Sequence, residues 1–89
     1  MNLTKKTKSV VSNKKGYFDV YFQNGGSSGV VTEKKRITKT ELLKYVAKFN
    51  KITQDSDERV IYFSVGHRND YGRVDTILEA KITNHFRKY

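Results

Sequence analysis

The sequence predicts a small two-layer α+β domain, an antiparallel sheet of about four strands in ββαββ order with one amphipathic helix packed on it. Three observations carry this expectation. Residues 17–23 alternate between apolar and polar types, residues 38–52 join a helix-start signal to an apolar stripe, and residues 73–83 alternate again. Period two marks a half-buried strand, and a stripe recurring every three to four residues marks a helix lying on a core. At 89 residues the chain is below the size at which a second core is built. The expected organisation is a basic flexible arm over residues 1–8 and a single domain over 9–89.

Taken in order, Met1–Asn13 is polar and basic, interrupted by Leu3, Val10 and Val11, which reads as the arm followed by a short strand at 9–12. Lys14-Lys15-Gly16 is a turn candidate. In Tyr17–Gln23, Phe18, Val20 and Phe22 fall on one face and Tyr17, Asp19 and Tyr21 on the other, the pattern of a strand. Asn24-Gly25-Gly26-Ser27-Ser28-Gly29 is a hairpin tip, because asparagine and glycine accept positive φ. Val30–Ile37 then begins apolar and ends Lys34-Lys35-Arg36, as an exposed edge strand does.

Thr38 and Glu41 have capping-box spacing, and Leu42, Val46 and Phe49 recur at i, i+4 and i+7 with Lys44, Lys48 and Lys51 opposite. These predict a helix over 39–51 with a lysine back. Residues 53–58 read as an acidic loop, and Arg59–Val65 is nearly continuous apolar, which suits a central strand. Gly66–Gly72 reads as a loop. Arg73–Thr83 is expected as a strand with Val74, Thr76, Leu78, Ala80 and Ile82 on one face. Thr76 and Glu79 also form a capping box, so a helix from residue 77 is the alternative over residues 76–88.

Charge is the main pointer to function. Residues 1–54 hold twelve basic and three acidic side chains, whereas residues 55–89 hold six of each, so the first part carries the whole net charge of +9. Such asymmetry points to nucleic acid or an acidic surface as partner. The candidate nucleic-acid contacts are Lys14, Lys15, Lys34, Lys35, Arg36, Lys44, Lys48 and Lys51, with Tyr17 and Tyr21 placed to stack on bases. The plain alternative is a solvated lysine surface written by an A/T-rich genome, since the chain is rich in Lys, Asn, Ile, Tyr and Phe. That composition also fits a bacteriophage or mobile-element protein, and so raises a second reading: a module that binds and inhibits a host protein such as a nuclease. His67, Arg68, Asp70 and Tyr71, grouped between two glycines, are the candidate protein-interaction residues.

Several chemistries are excluded or disfavoured. The chain has no cysteine and two histidines, which removes disulfides, thiolate metal sites and cysteine nucleophiles, so neither a cofactor nor a metal is expected. No catalytic residue stands out. Glu79-Ala80-Lys81 has the E-x-K spacing of the PD-(D/E)-x-K nucleases, with Asp57 as the upstream acid. A second E-x-K at Glu33-Lys34-Lys35, the lack of any proline and the shortness of the chain argue against that chemistry. No apolar run resembles a leader or a membrane span, giving a cytoplasmic protein without membrane contact as the expectation. The exposed edge strand leaves a homodimer open.

Overall fold

A computed structural model describes residues 3–24, 31–55 and 60–83. Six elements follow in order: α1 (Leu3–Val11), β1 (Tyr17–Asn24), β2 (Val31–Ile37), α2 (Lys39–Asp55), β3 (Val60–Arg68) and β4 (Val74–Thr83). The strands make one antiparallel sheet in the order β2-β1-β3-β4. Both helices pack on one face of it, α2 over β1 and α1 beside α2 and over β4. The α+β class and the four-stranded antiparallel sheet are as the sequence predicts. The ββαββ order is not, because a helix precedes the first strand and two helices cover the sheet.

That extra helix occupies residues expected to be a flexible arm and a short strand. Nine residues are too few to hold a helix alone in water, so its cause lies in packing. Leu3, Thr7 and Val11 are fully or almost fully buried at i, i+4 and i+8, and the Leu3 amide donates to Asn50 Oδ1 of α2 at 2.7 Å, satisfying one of the free N–H groups at the helix start. With its N-terminus at Asn50 and its C-terminus leading to Phe18, which pairs with Ile37 just before α2, α1 runs antiparallel to α2.

The core is built by period-two alternation against helical periodicity. Phe18, Val20 and Phe22 of β1 and Phe63 and Val65 of β3 face Leu42, Val46 and Phe49 of α2, all at most 1 % exposed. The Phe22 and Phe49 rings lie parallel with centroids 4.3 Å apart, and Phe63 meets Phe49 edge-on at 6.2 Å. At the start of α2, the Glu41 amide donates to Thr38 Oγ1 and the Thr38 hydroxyl donates to Glu41 Oε1. This ties the cap through the two side chains.

Two bulges lie on one transverse row of the sheet. Between the Phe18↔Ile37 and Val20↔Lys34 pairs, β2 spends one residue more than β1, setting Lys35 and Arg36 against Asp19. Asp19 pairs with Gly66, beside which Ile77 is the extra residue of β4. The second bulge corrects the expected faces of β4. Ile77 and Leu78 both pack on the core, while Val74 and Thr76 turn to the uncovered face. A side chain at Gly66 would meet Val74 Cγ1 at 2.5 Å, so glycine here makes room for that reversal.

Residues 66–68, expected in a loop, extend β3, and 52–55 extend α2. The strand reading of residues 74–83 holds. The glycine-rich tip at 25–29, residues 56–58 of the expected acidic loop and the terminal stretch from residue 84 lie outside the described residues.

Thr7 Oγ1 is fully buried and has no hydrogen-bond partner among the described residues. An unpaired buried hydroxyl costs about 1–3 kcal/mol. Thr7→Val, of nearly the same shape and helix propensity, is therefore expected to raise unfolding stability by about 1 kcal/mol. Urea titration of the two proteins measures it, and a loss of stability would show that the hydroxyl has a partner.

Candidate nucleic-acid interface

The rotation of α2 is set by its buried face, and that decides where its lysines go. With Leu42, Val46 and Phe49 turned inward, Thr40, Lys44, Ala47, Lys48 and Lys51 are exposed on the outer side. Tyr45 leans toward β2. Lys34 pairs with Val20 and so shares its face, and its Nζ sits 5.8 Å from the centroid of the Tyr45 ring. A shallow groove of about 310 Å³ runs along this flank, lined by Glu41, Lys44, Tyr45 and Lys48. On the other flank lies α1, with Lys5, Lys6 and Lys8 exposed. Among the described residues no carboxylate pairs with Lys34, Lys44, Lys48 or Lys51. Glu41, the one carboxylate among the described side chains of the two helices, is engaged in the helix cap.

The expected basic surface is therefore divided. Lys34, Lys44, Lys48 and Lys51 come together on the helix layer. Lys14 and Lys15 sit in the α1–β1 turn, where the Lys15 carbonyl is 2.6 Å from His67 Nε2. Lys35, Arg36, Tyr17 and Tyr21 lie on the far side of the sheet. Alternation along β2 turns Lys34 and Lys35 to opposite faces, and the bulge keeps Arg36 on the side of Lys35.

That far face is of mixed charge. Asp19 joins three strands: Arg68 of β3 donates to its carboxylate through Nε at 3.1 Å and the NH2 nitrogen at 2.8 Å, and the Arg36 amide of β2 donates to Oδ1 at 3.0 Å. Arg36 adopts φ 56°, a left-handed conformation unfavourable for a residue with a side chain, and the Asp19 bond holds it there. Burial pushes the Asp19 carboxyl up, but the Arg68 and Arg36 hydrogen bonds, with the charges of Arg68 and Lys35, more than offset this and leave it below its ordinary value. Tyr21 and Tyr62 meet edge-on at 5.7 Å. The Tyr62 hydroxyl donates to Glu79 Oε2 at 2.7 Å, and that bond, with partial burial and the charge of Glu79, holds the phenol above its ordinary value.

The candidate protein-interaction residues divide as well. His67 is packed against Phe18 with centroids 5.3 Å apart, and Arg68 is committed to Asp19; both serve the fold. Asp70 and Tyr71 sit at the β3–β4 turn, where Asn69 Oδ1 accepts from the amides of Tyr71 and Arg73 and Gly72 takes φ 85°. This is a braced three-residue hairpin loop with glycine at the left-handed position. It holds Tyr71 out with 96 % of its surface exposed, at the rim of a depression shared with Tyr17, Arg36 and Arg68. Asn69 as the brace was not singled out in the sequence, although an asparagine three residues before a glycine signals such a turn.

Glu79 faces Ser64 across the strands and Lys81 faces Tyr62, while Asp57 lies outside the described residues. Among the described residues no three His, Asp or Glu side chains converge as a cation site, and no helix is long and apolar enough to cross a membrane. Compared with models of protein families, with curated proteins and with solved structures, the chain matches none.

Because the folded carboxyl of Asp19 titrates below its unfolded value, its contribution to stability is present above the unfolded pKa and disappears as pH falls through the folded one. Asp19→Asn should therefore be less stable than the parent at neutral pH, with the difference shrinking as the solution is acidified below the ordinary aspartate range. Thermal melts of both proteins between pH 7 and about pH 2 test this. A gap that persists unchanged at the acid end would contradict the assignment.

Proposed function

We propose that this protein binds nucleic acid without catalysis, through the lysine-bearing helix layer. The observation that carries the reading is the approach of Lys34 to Tyr45, which joins the β2 lysine to Lys44, Lys48 and Lys51 in one patch with no carboxylate partner among the described residues. Unpaired lysines held on a rigid helix neutralise phosphates and release their counterions, a contribution that grows with each contact and weakens as salt is added. Across the core, the opposite face is screened from the same ligand beyond about 10 Å at 0.1 M salt. Lys14 and Lys15 lie at the end of this layer and play a lesser part.

Reversing Lys44 and Lys48 together to glutamate should lower affinity for oligonucleotides by roughly tenfold or more at low salt. Lys35→Glu, on the other side of the sheet, should change it little. Fluorescence anisotropy with labelled oligonucleotides distinguishes the two variants. Equal losses would place the contact elsewhere, and unchanged binding in the double variant would remove the helix layer from the reading.

A second reading, docking on and inhibition of a host nucleic-acid enzyme as a phage or mobile-element protein would do, is favoured by the presentation of Tyr71 on a braced turn beside Tyr17 and Arg36. Tyrosine and arginine are enriched where protein interfaces concentrate their energy. On this reading a partner is retained from nuclease-treated lysate and is lost with Tyr71→Ala. Loss of all bound material on nuclease treatment argues for nucleic acid alone.

A further inference from the structure

We infer that the ligand of the helix layer is double-stranded DNA, held by its phosphate backbone and without sequence preference. This rests on the nucleic-acid reading above and narrows it by three features of the geometry.

The first is the separation of lysines from open aromatic rings. Single strands are held largely by stacking their bases on aromatic side chains, worth about 1–3 kcal/mol per base. Tyr17 and Tyr21 are on the uncovered sheet face, away from Lys34, Lys44, Lys48 and Lys51. The aromatic side chain beside those lysines is Tyr45, half-buried, with Lys34 over its ring and Phe49 6.2 Å away at 25°. These neighbours and its partial burial leave a base less of the ring than an open platform would. A strand lying along these lysines would gain charge neutralisation and little else.

The second is charge density. Lys44 to Lys51 spans about 10 Å of helix axis at 1.5 Å per residue. Over that length a duplex presents about six phosphates and a single strand about three. The denser polyanion gives each lysine more counterions to displace, with a salt dependence of about −0.9 per contact for B-form DNA against about −0.7 for a single strand.

The third is shape. The outer side of α2 places small residues, Thr40 and Ala47, among its lysines, and cations flank it on both sides, Lys34 toward β2 and the α1 lysines beyond Asn50. A helix about 25 Å long with this cross-section suits the B-form major groove, about 12 Å wide and bounded by two phosphate walls. The deep, narrow major groove of duplex RNA does not admit it. Among the described side chains of that outer side there is no Arg, Asn or Gln, and lysine, a flexible and strongly hydrated point charge, grips phosphates without the fixed geometry that sequence readout needs.

The test is a salt series of anisotropy titrations with the whole protein and labelled 20-mers: duplex DNA of two unrelated sequences, the single DNA strand, and duplex RNA. Expected are equal affinities for the two duplex DNAs, at least fivefold weaker binding of the single strand and of duplex RNA, and a log–log salt slope of about −4 on duplex DNA for four lysine contacts. Tyr17→Ala and Tyr21→Ala should leave all affinities in place. Single-stranded DNA or duplex RNA binding as tightly as duplex DNA would overturn the inference while leaving the nucleic-acid reading standing. So would loss of binding on removing either tyrosine from a variant that circular dichroism shows to be folded. Absence of binding to every probe at low salt would overturn both.

Discussion

The parallel contact of Phe49 with Phe22, closed from the side by Phe63, is the interaction on which the rest of this structure depends. It locks the rotation of α2 about its own axis as well as its position over the sheet. A helix free to roll by one residue, about 100°, would bury a lysine and expose a leucine. Held by three rings, α2 has one orientation, and from that orientation follow the outward lysines, the tilt of Tyr45 toward β2, and the side on which Asn50 receives the first turn of α1. Aromatic cores are well suited to this task in a short chain, because each ring buries a large area and adds an orientation preference to it.

The sheet divides the charge into two unlike surfaces. On the helix side, Lys34 of β2 and Lys44, Lys48 and Lys51 of α2 have no carboxylate partner among the described residues. On the uncovered side Arg68 is matched to Asp19, while at the β3–β4 hairpin Arg73 pairs with Asp75 at 3.4 Å. Flexible, strongly hydrated lysines suit a surface that grips phosphates without fixed geometry, whereas the planar guanidinium of Arg68 suits a two-pronged bond that ties strands together. The basic side chains thus have two physical roles, and Arg68 and Arg73, each paired with a carboxylate, contribute little of the field that a polyanion would feel.

Asp19 shows how a polar residue on an exposed sheet face can be structural. It secures a bulge in the neighbouring strand, keeps Arg36 in a left-handed conformation and fixes Arg68 at the foot of the β3–β4 turn. The bulges on either side of it sit on one transverse row, which concentrates the extra twist of the sheet there and turns Tyr17, Arg36 and the Tyr71 turn toward a common corner.

Local pattern was enough to read the four strands, the cap and stripe of α2, the edge position of β2 and the inward set of Phe18, Val20 and Phe22, because each is written in residues within one or two turns of one another. The α2 lysines belonged to one face for the same reason. What no local pattern carried was α1, whose stripe has a threonine at its centre and whose first amide is satisfied by Asn50, 47 positions away. Nor did it carry the two bulges, each a mismatch between strands that neither strand shows alone. The division of Lys34 from Lys35, and of the tyrosines from the lysines, awaited the tertiary structure, since periodicity says which residues share a face but only packing against a second layer says which face is covered.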